Sequence, residues 1–173
     1  MGDLTAHFSA HEFTCTCGCK MNDISRELVN MLEKVYSYFE KTERGVTAII
    51  ITSGFRCPRG SVAVGGSVDD AHTHGIAADF VVLDKSGLKW DSKAIAAVCE
   101  YVGFSGIGVI DGTAVHADIR NGTNYKNAHW FGDERTGNDN ITTWREYLPH
   151  ISAKTTKTLK VTLDGVTILE REV

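Results

Sequence analysis

The chain lacks the excess of positive charge that marks most nucleic-acid-binding proteins. Its 173 residues include 18 lysines and arginines against 22 aspartates and glutamates, which gives a formal net charge of -4. Affinity for nucleic acids rests on basic side chains that neutralise phosphates. We therefore expect neither DNA nor RNA among the partners of this protein.

Long apolar runs are also absent. No stretch approaches the roughly 18 apolar residues that a membrane-spanning helix needs, so the sequence predicts no membrane insertion. Residues 1–13 contain neither the basic start nor the apolar centre of a signal peptide. We expect synthesis in the cytoplasm without an export signal, and a monomeric protein.

The cysteines do not form an obvious set of disulfide pairs. Cys15, Cys17 and Cys19 lie close together, while Cys57 and Cys99 stand apart. An odd number of cysteines without an export signal argues against a disulfide framework. The C-x-C spacing also differs from the C-x2-C spacing typical of zinc knuckles. The sequence leaves open reduced thiols, a small metal clip, or a disulfide that involves Cys57.

Two segments have the apolar periodicity of helices. Apolar residues recur at intervals of three and four after Asp23, which predicts a helix over residues 24–41 with Asp23 as its N-cap. Asp91 is expected to cap a second helix, which Gly103 ends. These helices are expected to flank a sheet.

Several short segments have the pattern of strands. The apolar, β-branched segment 47–52 and the segment 76–83 predict two strands, separated by a long irregular loop over residues 54–75. Two further strands should flank the turn at Asp111-Gly112. On the second of them His116 and Asp118 should face the same way, because strand side chains alternate between faces.

The C-terminal residues predict a separate hairpin. Apolar and polar residues alternate over 158–170 around Asp164-Gly165. We therefore expect a main domain over residues 1–150 and a β-hairpin appendage over residues 151–173.

Three residues have the chemistry of a zinc site. A catalytic zinc ion usually has three protein ligands and a fourth position open to water. His72, Asp79 and His116 supply two imidazoles and a carboxylate. The His-x6-Asp pair alone occurs often by chance, so its spacing is weak evidence without a wider pattern.

Four motifs in series provide that wider pattern. They are SGFR at residues 53–56, VGG at 64–66, HTHGIAAD at 72–79 and VHADIR at 115–120. In this order they resemble the zinc D-alanyl-D-alanine carboxypeptidase family, whose fold is shared with the hedgehog signalling domain. The N-terminal segment is similar to that of the phage and bacterial cell-wall branch of the family. The resemblance implies an α+β fold with a central, mainly antiparallel sheet flanked by helices.

The resemblance also implies roles for individual residues. His72, Asp79 and His116 become the ligands of Zn²⁺, and Arg56 is expected to face a substrate carboxylate or to polarise the scissile carbonyl. A guanidinium suits that role because it is always charged and can bind bidentately. The alternative for Arg56 is a surface salt bridge. Ser53, Ser61 and His74 are expected to contact substrate.

Departures from the family pattern affect supporting residues rather than ligands. Asp70 stands where the family has a serine, and Ser61 where it commonly has an asparagine. Thr113 occupies the position at which some members have an acidic general base, and threonine cannot accept a proton at neutral pH. We assign that role to Asp118, with orientation of a ligand as its alternative.

The implied activity is hydrolysis of peptidoglycan peptides. The resemblance implies either a D-Ala-D-Ala carboxypeptidase or an endolysin-type endopeptidase that cuts the stem peptide or the cross-bridge. Because the sequence lacks an export signal, we expect release to the cell wall through a phage or prophage. The alternative is a zinc-bearing cell-wall-binding or structural module without catalytic activity.

Overall fold

An α+β architecture forms over residues 2–120, 130–152, 158–163 and 166–172, which the computed structural model describes. The elements follow one another as α1 (Arg26–Glu40), β1 (Ala48–Ser53), α2 (Pro58–Ala63), β2 (Ala77–Leu83), α3 (Ser92–Val102), β3 (Gly106–Val109), β4 (Ala114–Asp118), β5 (Trp130–Asp133), β6 (Thr158–Leu163) and β7 (Val166–Glu172). Short 3-10 turns lie at Ala10–Phe13 and Arg145–Tyr147.

The central sheet has five strands in the order β1-β2-β4-β3-β5. Neighbouring strands are antiparallel except β3 and β5, which are parallel. The prediction of a mainly antiparallel sheet flanked by helices is therefore confirmed. The parallel edge strand β5 was not predicted, because its four residues are too few to show a strand period.

The two faces of this sheet carry different kinds of side chains. On one face, buried apolar side chains of the central strands pack against α1 and α3; they include Phe80, Val82, Ile107, Val109, Val115 and Ala117. The opposite face carries Asp79, His116 and Asp118, which alternate with those apolar residues along β2 and β4. The sheet thus separates the hydrophobic core from the polar residues that were predicted to form the zinc site.

The two predicted helices are present, with one boundary corrected. Helix α1 begins at Arg26, and its N-cap is Ser25 rather than Asp23. The Ser25 N–H donates to the carbonyl of Gly75 at 2.8 Å, so tertiary contact rather than local capping fixes where this helix starts. Helix α3 follows its prediction: Asp91 accepts from the Lys93 N–H at 2.9 Å, and Gly103 ends the helix in a left-handed conformation.

The segment predicted as an irregular loop contains helix α2. Pro58 occupies its first turn, where the missing N–H costs no hydrogen bond. Cys57 is the N-cap residue, and its sulfur accepts from the Gly60 N–H. This short helix was missed because six residues are too few to show helical periodicity.

Both predicted hairpins have antiparallel strands. Strands β3 and β4 pair around the turn that contains Asp111, and β6 pairs with β7 in a sheet of its own. The predicted turn residues 164–165 lie outside the described residues. The domain boundary at residue 151 stays a prediction. Among the helices described, none combines the length and apolar character that crossing a membrane requires.

Gly75 joins the N-terminal segment to the loop before β2. Its φ is +66°, and a Cβ at this position would overlap the carbonyl oxygen of Asp23. Only glycine combines that conformation with such a close backbone approach. The loop that carries His72 is therefore packed directly against the chain that leads into α1.

We predict that Gly75→Ala destabilises the protein by roughly 4 kcal/mol, because steric overlap adds to the cost of a left-handed alanine. Gly87→Ala is the matched control: its φ is +76°, but no atom lies within 4 Å of an added Cβ. That control should lose about 1 to 2 kcal/mol. Urea unfolding of both variants provides the comparison, and equal losses would contradict the close packing at Gly75.

Candidate metal centre

Three donor atoms converge on the polar face of the sheet. Asp79 on β2 lies directly opposite His116 on β4 in the strand register, and His72 comes from the loop before β2. His116 Nδ1 lies 2.9 Å from Asp79 Oδ1 and 3.2 Å from His72 Nε2, and Asp79 Oδ1 lies 3.2 Å from His72 Nε2. The structure thus brings together the three ligands that the sequence predicted.

This donor set fits a zinc ion. Tetrahedral zinc with bonds of about 2.0 to 2.1 Å holds its nitrogen and oxygen ligands about 3.3 Å apart, close to the distances between these three atoms. Lone pairs that face one another at such short distances repel unless a cation lies between them. The site therefore suits Zn²⁺ in both chemistry and spacing.

Each histidine ring is oriented through its second nitrogen. His72 Nδ1 lies 2.8 Å from the carbonyl oxygen of Gly54, and His116 Nε2 lies 3.0 Å from Asp118 Oδ2. Because these oxygens only accept, each of those nitrogens must carry the proton. The lone pairs of His72 Nε2 and His116 Nδ1 are then directed at the shared centre.

Asp79 is held through the oxygen that does not face the centre. The Arg56 guanidinium donates to Asp79 Oδ2 at 2.6 Å and to Ser53 Oγ at 2.8 Å. Burial favours the neutral acid at Asp79, but the adjacent imidazoles of His116 and His72 outweigh it and hold the pKa of this carboxyl well below its ordinary value. Arg56 also lines the cavity, whereas the Ser53 hydroxyl supports Arg56.

Asp118 lies beneath His116 and is fully buried. Arg120 donates to its carboxylate through Nε at 2.8 Å and through its backbone N–H at 3.0 Å. Burial raises the pKa of Asp118, but Arg120 and His116 outweigh that effect and lower it. Gly106 on the adjacent strand provides the space, since a Cβ there would overlap the Asp118 carboxylate.

This geometry favours the alternative role of Asp118, orientation of His116, over that of a general base. Burial lowers the pKa of His116, but the carboxylates of Asp118 and Asp79, which accept hydrogen bonds from the charged ring, outweigh it and raise this pKa to about 9. The same electron-rich surroundings that attract a proton to His116 favour a metal cation at Nδ1.

Two of the predicted substrate contacts have other partners. Ser61 is fully buried and its hydroxyl donates to Asp70, a different contact from the predicted one with substrate. His74 pairs with Asp69 and its side chain is 52% exposed. Asp70 does not hold His72; it accepts from the Thr73 N–H at 3.0 Å and so shapes the turn.

A cavity of about 600 Å³ opens over the three ligands. Its lining combines the predicted residues with others from the edge of the sheet: Arg56, Val64, Gly65, Gly66, Asp69, Asp70, Ala71, His72, Asp79, Ile110, His116, Arg120, Trp130 and Glu134. No sequence motif points to Glu134 or Trp130 as a cavity residue. Both come from β5 or the residue after it, and only recognition of that strand would have revealed their position.

The site lies within the part of the chain that matches a known protein family. The sequence model of a family described as Peptidase M15 matches residues 6–118, a span that contains all three proposed ligands together with Arg56 and Asp118. Neither the curated proteins nor the solved structures include a match to the chain.

We predict that Asp118→Asn weakens zinc binding about 10- to 100-fold, because a neutral amide holds the His116 ring less firmly and makes it a poorer donor. Asp133→Asn is a matched control, since Asp133 is also buried and also pairs with an arginine two residues on, Arg135. Titration against a fluorescent zinc chelator measures both affinities. An Asp118→Asn variant that binds zinc as tightly as the control would contradict the orienting role.

Proposed function

The chain belongs to the peptidase M15 family, a zinc D-Ala-D-Ala carboxypeptidase-like family. We propose that it is an endopeptidase that cuts peptidoglycan stem peptides or cross-bridges. Family membership supports a zinc metallopeptidase that acts on peptidoglycan. The choice of an endopeptidase over a carboxypeptidase is our inference from the charges around the cavity.

The observation that carries the enzymatic proposal is the convergence of His72 Nε2, Asp79 Oδ1 and His116 Nδ1 beneath an open cavity. These three residues would hold a zinc ion, which would supply the Lewis acidity that peptide hydrolysis requires. Three protein ligands would be the number that catalytic zinc sites use, whereas purely structural zinc sites use four.

The arginines of the cavity support the endopeptidase. A carboxypeptidase must hold the C-terminal carboxylate of its substrate, usually with a cation. Arg56 and Arg120 line the cavity, but each is already paired with a carboxylate, Asp79 and Asp118 respectively. The other charged residues of the described lining, apart from its histidines, are acids. With its arginines paired and its other charges acidic, the cavity favours binding of an internal peptide segment over binding of a C-terminal carboxylate.

Glu134 is our proposed proton acceptor in place of Asp118. It lies at an exposed position directly after β5 and lines the cavity, and its backbone N–H donates to the Val109 carbonyl at 2.8 Å. Asp69 and Asp70 also line the cavity, but their carboxylates bind His74 and Ser61. We therefore assign to the Glu134 carboxylate the role of taking a proton from the attacking water and passing it to the leaving amine.

Digestion of purified peptidoglycan tests the proposed function. We expect the wild-type chain with zinc to release peptides whose masses show a cleaved stem or cross-bridge, and His116→Ala to release none above background. If mass spectrometry found free D-alanine as the only product, the protein would be a carboxypeptidase rather than an endopeptidase. Wild-type protein that held zinc but released no product would favour the alternative, a cell-wall-binding module without activity.

We predict that Glu134→Gln lowers kcat about 100-fold or more while zinc affinity is unchanged, since loss of a general base typically costs 10²- to 10⁴-fold. Glu146→Gln, an exposed glutamate outside the cavity lining, is the control and should keep full activity. Rates of peptide release and the zinc content of each variant are measured together. Full activity in Glu134→Gln would remove this residue from the mechanism.

The route to the substrate follows the expectation from sequence. We propose that the protein acts as a monomer and reaches the cell wall through phage- or prophage-mediated release. The likeness of the N-terminal segment to the phage and bacterial cell-wall branch of the family supports this route.

A further inference from the structure

Four cysteine sulfurs converge at a second place in the fold. Cys15, Cys17 and Cys19 follow the first 3-10 turn, and Cys57 precedes helix α2. Their Sγ atoms all lie within 4.8 Å of one another, with 3.4 Å between Cys15 and Cys17 and 3.4 Å between Cys17 and Cys57. All four are free thiols, and Cys15 and Cys57 are buried.

We propose that Cys15, Cys17, Cys19 and Cys57 bind a structural zinc ion, distinct from the ion of the catalytic centre. Tetrahedral zinc with Zn–S bonds of about 2.3 Å holds its four sulfurs about 3.8 Å apart. The separations among these sulfurs lie around that value. A single disulfide would bring two sulfurs to about 2.05 Å and give no reason for the other two to gather there.

The surrounding backbone supports sulfur in its anionic form. The Cys57 N–H donates to Cys15 Sγ at 3.4 Å, and the Gly60 N–H donates to Cys57 Sγ at 3.3 Å. Such N–H to sulfur bonds stabilise the thiolate that a metal requires, and they orient the sulfur lone pairs. The site has four protein ligands and no open position, which is the arrangement of structural zinc.

The position of this cluster explains what the ion would do. It would join the N-terminal arm to the residues just before α2, and Cys57 directly follows Arg56. The same two segments meet through the Phe55 N–H, which donates to the Phe13 carbonyl at 2.9 Å. Gly54, next to Phe55, holds the His72 ring. A metal at the cysteines would therefore restrain the segment that positions Arg56 and His72.

Metal counting on the full chain, expressed with zinc, tests this proposal. We expect about two zinc ions per wild-type chain, about one in His116→Ala, and about one in Cys17→Ser and in Cys19→Ser. Cys99→Ala is the control, because Cys99 lies buried in α3 away from the cluster, and it should keep about two. Elemental analysis by mass spectrometry gives the counts, and circular dichroism checks that each variant is folded.

Cobalt(II) substitution identifies the ligands independently of activity. In His116→Ala, the bound cobalt should show thiolate-to-metal charge transfer and intense tetrahedral absorption, and Cys17→Ser should weaken both. A folded wild-type chain with about one zinc ion and four thiols that react freely would overturn the proposal. A mass loss that shows a disulfide within the cluster would also overturn it. Neither result would contradict the proposed zinc site at His72, Asp79 and His116, which His116→Ala tests separately.

Discussion

The antiparallel register of β2 against β4 is the constraint on which the site depends. It places Asp79 directly opposite His116, so that both side chains rise from the same face of the sheet at neighbouring positions. A slip of one residue would turn one of these ligands toward the core and bring an apolar side chain to the polar face. Phe80 and Val115, buried beside the two ligands, oppose that slip because their burial stabilises only the observed register.

The same face concentrates charges that would destabilise a fold if they were unpaired. Asp79 and Asp118 are both buried, and removing a carboxylate from water costs several kcal/mol unless close partners compensate. Arg56 and Arg120 provide that compensation, one for each carboxylate. Arg56 binds Asp79 Oδ2 and so leaves Oδ1 for the metal, whereas Asp118 Oδ2 accepts from both Arg120 and His116. The charge pairs thus stabilise a particular orientation of ligands more than they stabilise the fold.

The parts of this site that could be predicted from the sequence are those within sequence motifs or within strands of clear periodicity. Asp79 and His116 fell within motifs on predicted strands and His72 in the predicted loop before β2, and alternation along β4 placed His116 and Asp118 on one face. The sequence did not reveal partners that are distant in sequence or main-chain atoms, such as the Gly54 carbonyl that orients His72. The C-x-C spacing of the N-terminal cysteines gave little sign of a metal site, because the fourth sulfur comes from the distant Cys57. The short strand β5, which precedes Glu134, was not predicted. These features depend on tertiary packing, which cannot be read from the periodicity of apolar residues within one segment.

The central claim, that His72, Asp79 and His116 hold a catalytic zinc ion, is tested most directly by anomalous diffraction at the zinc absorption edge. Crystals of the full chain grown with zinc should show an anomalous peak between His72 Nε2, Asp79 Oδ1 and His116 Nδ1. A map with no anomalous peak among these three atoms would contradict the account.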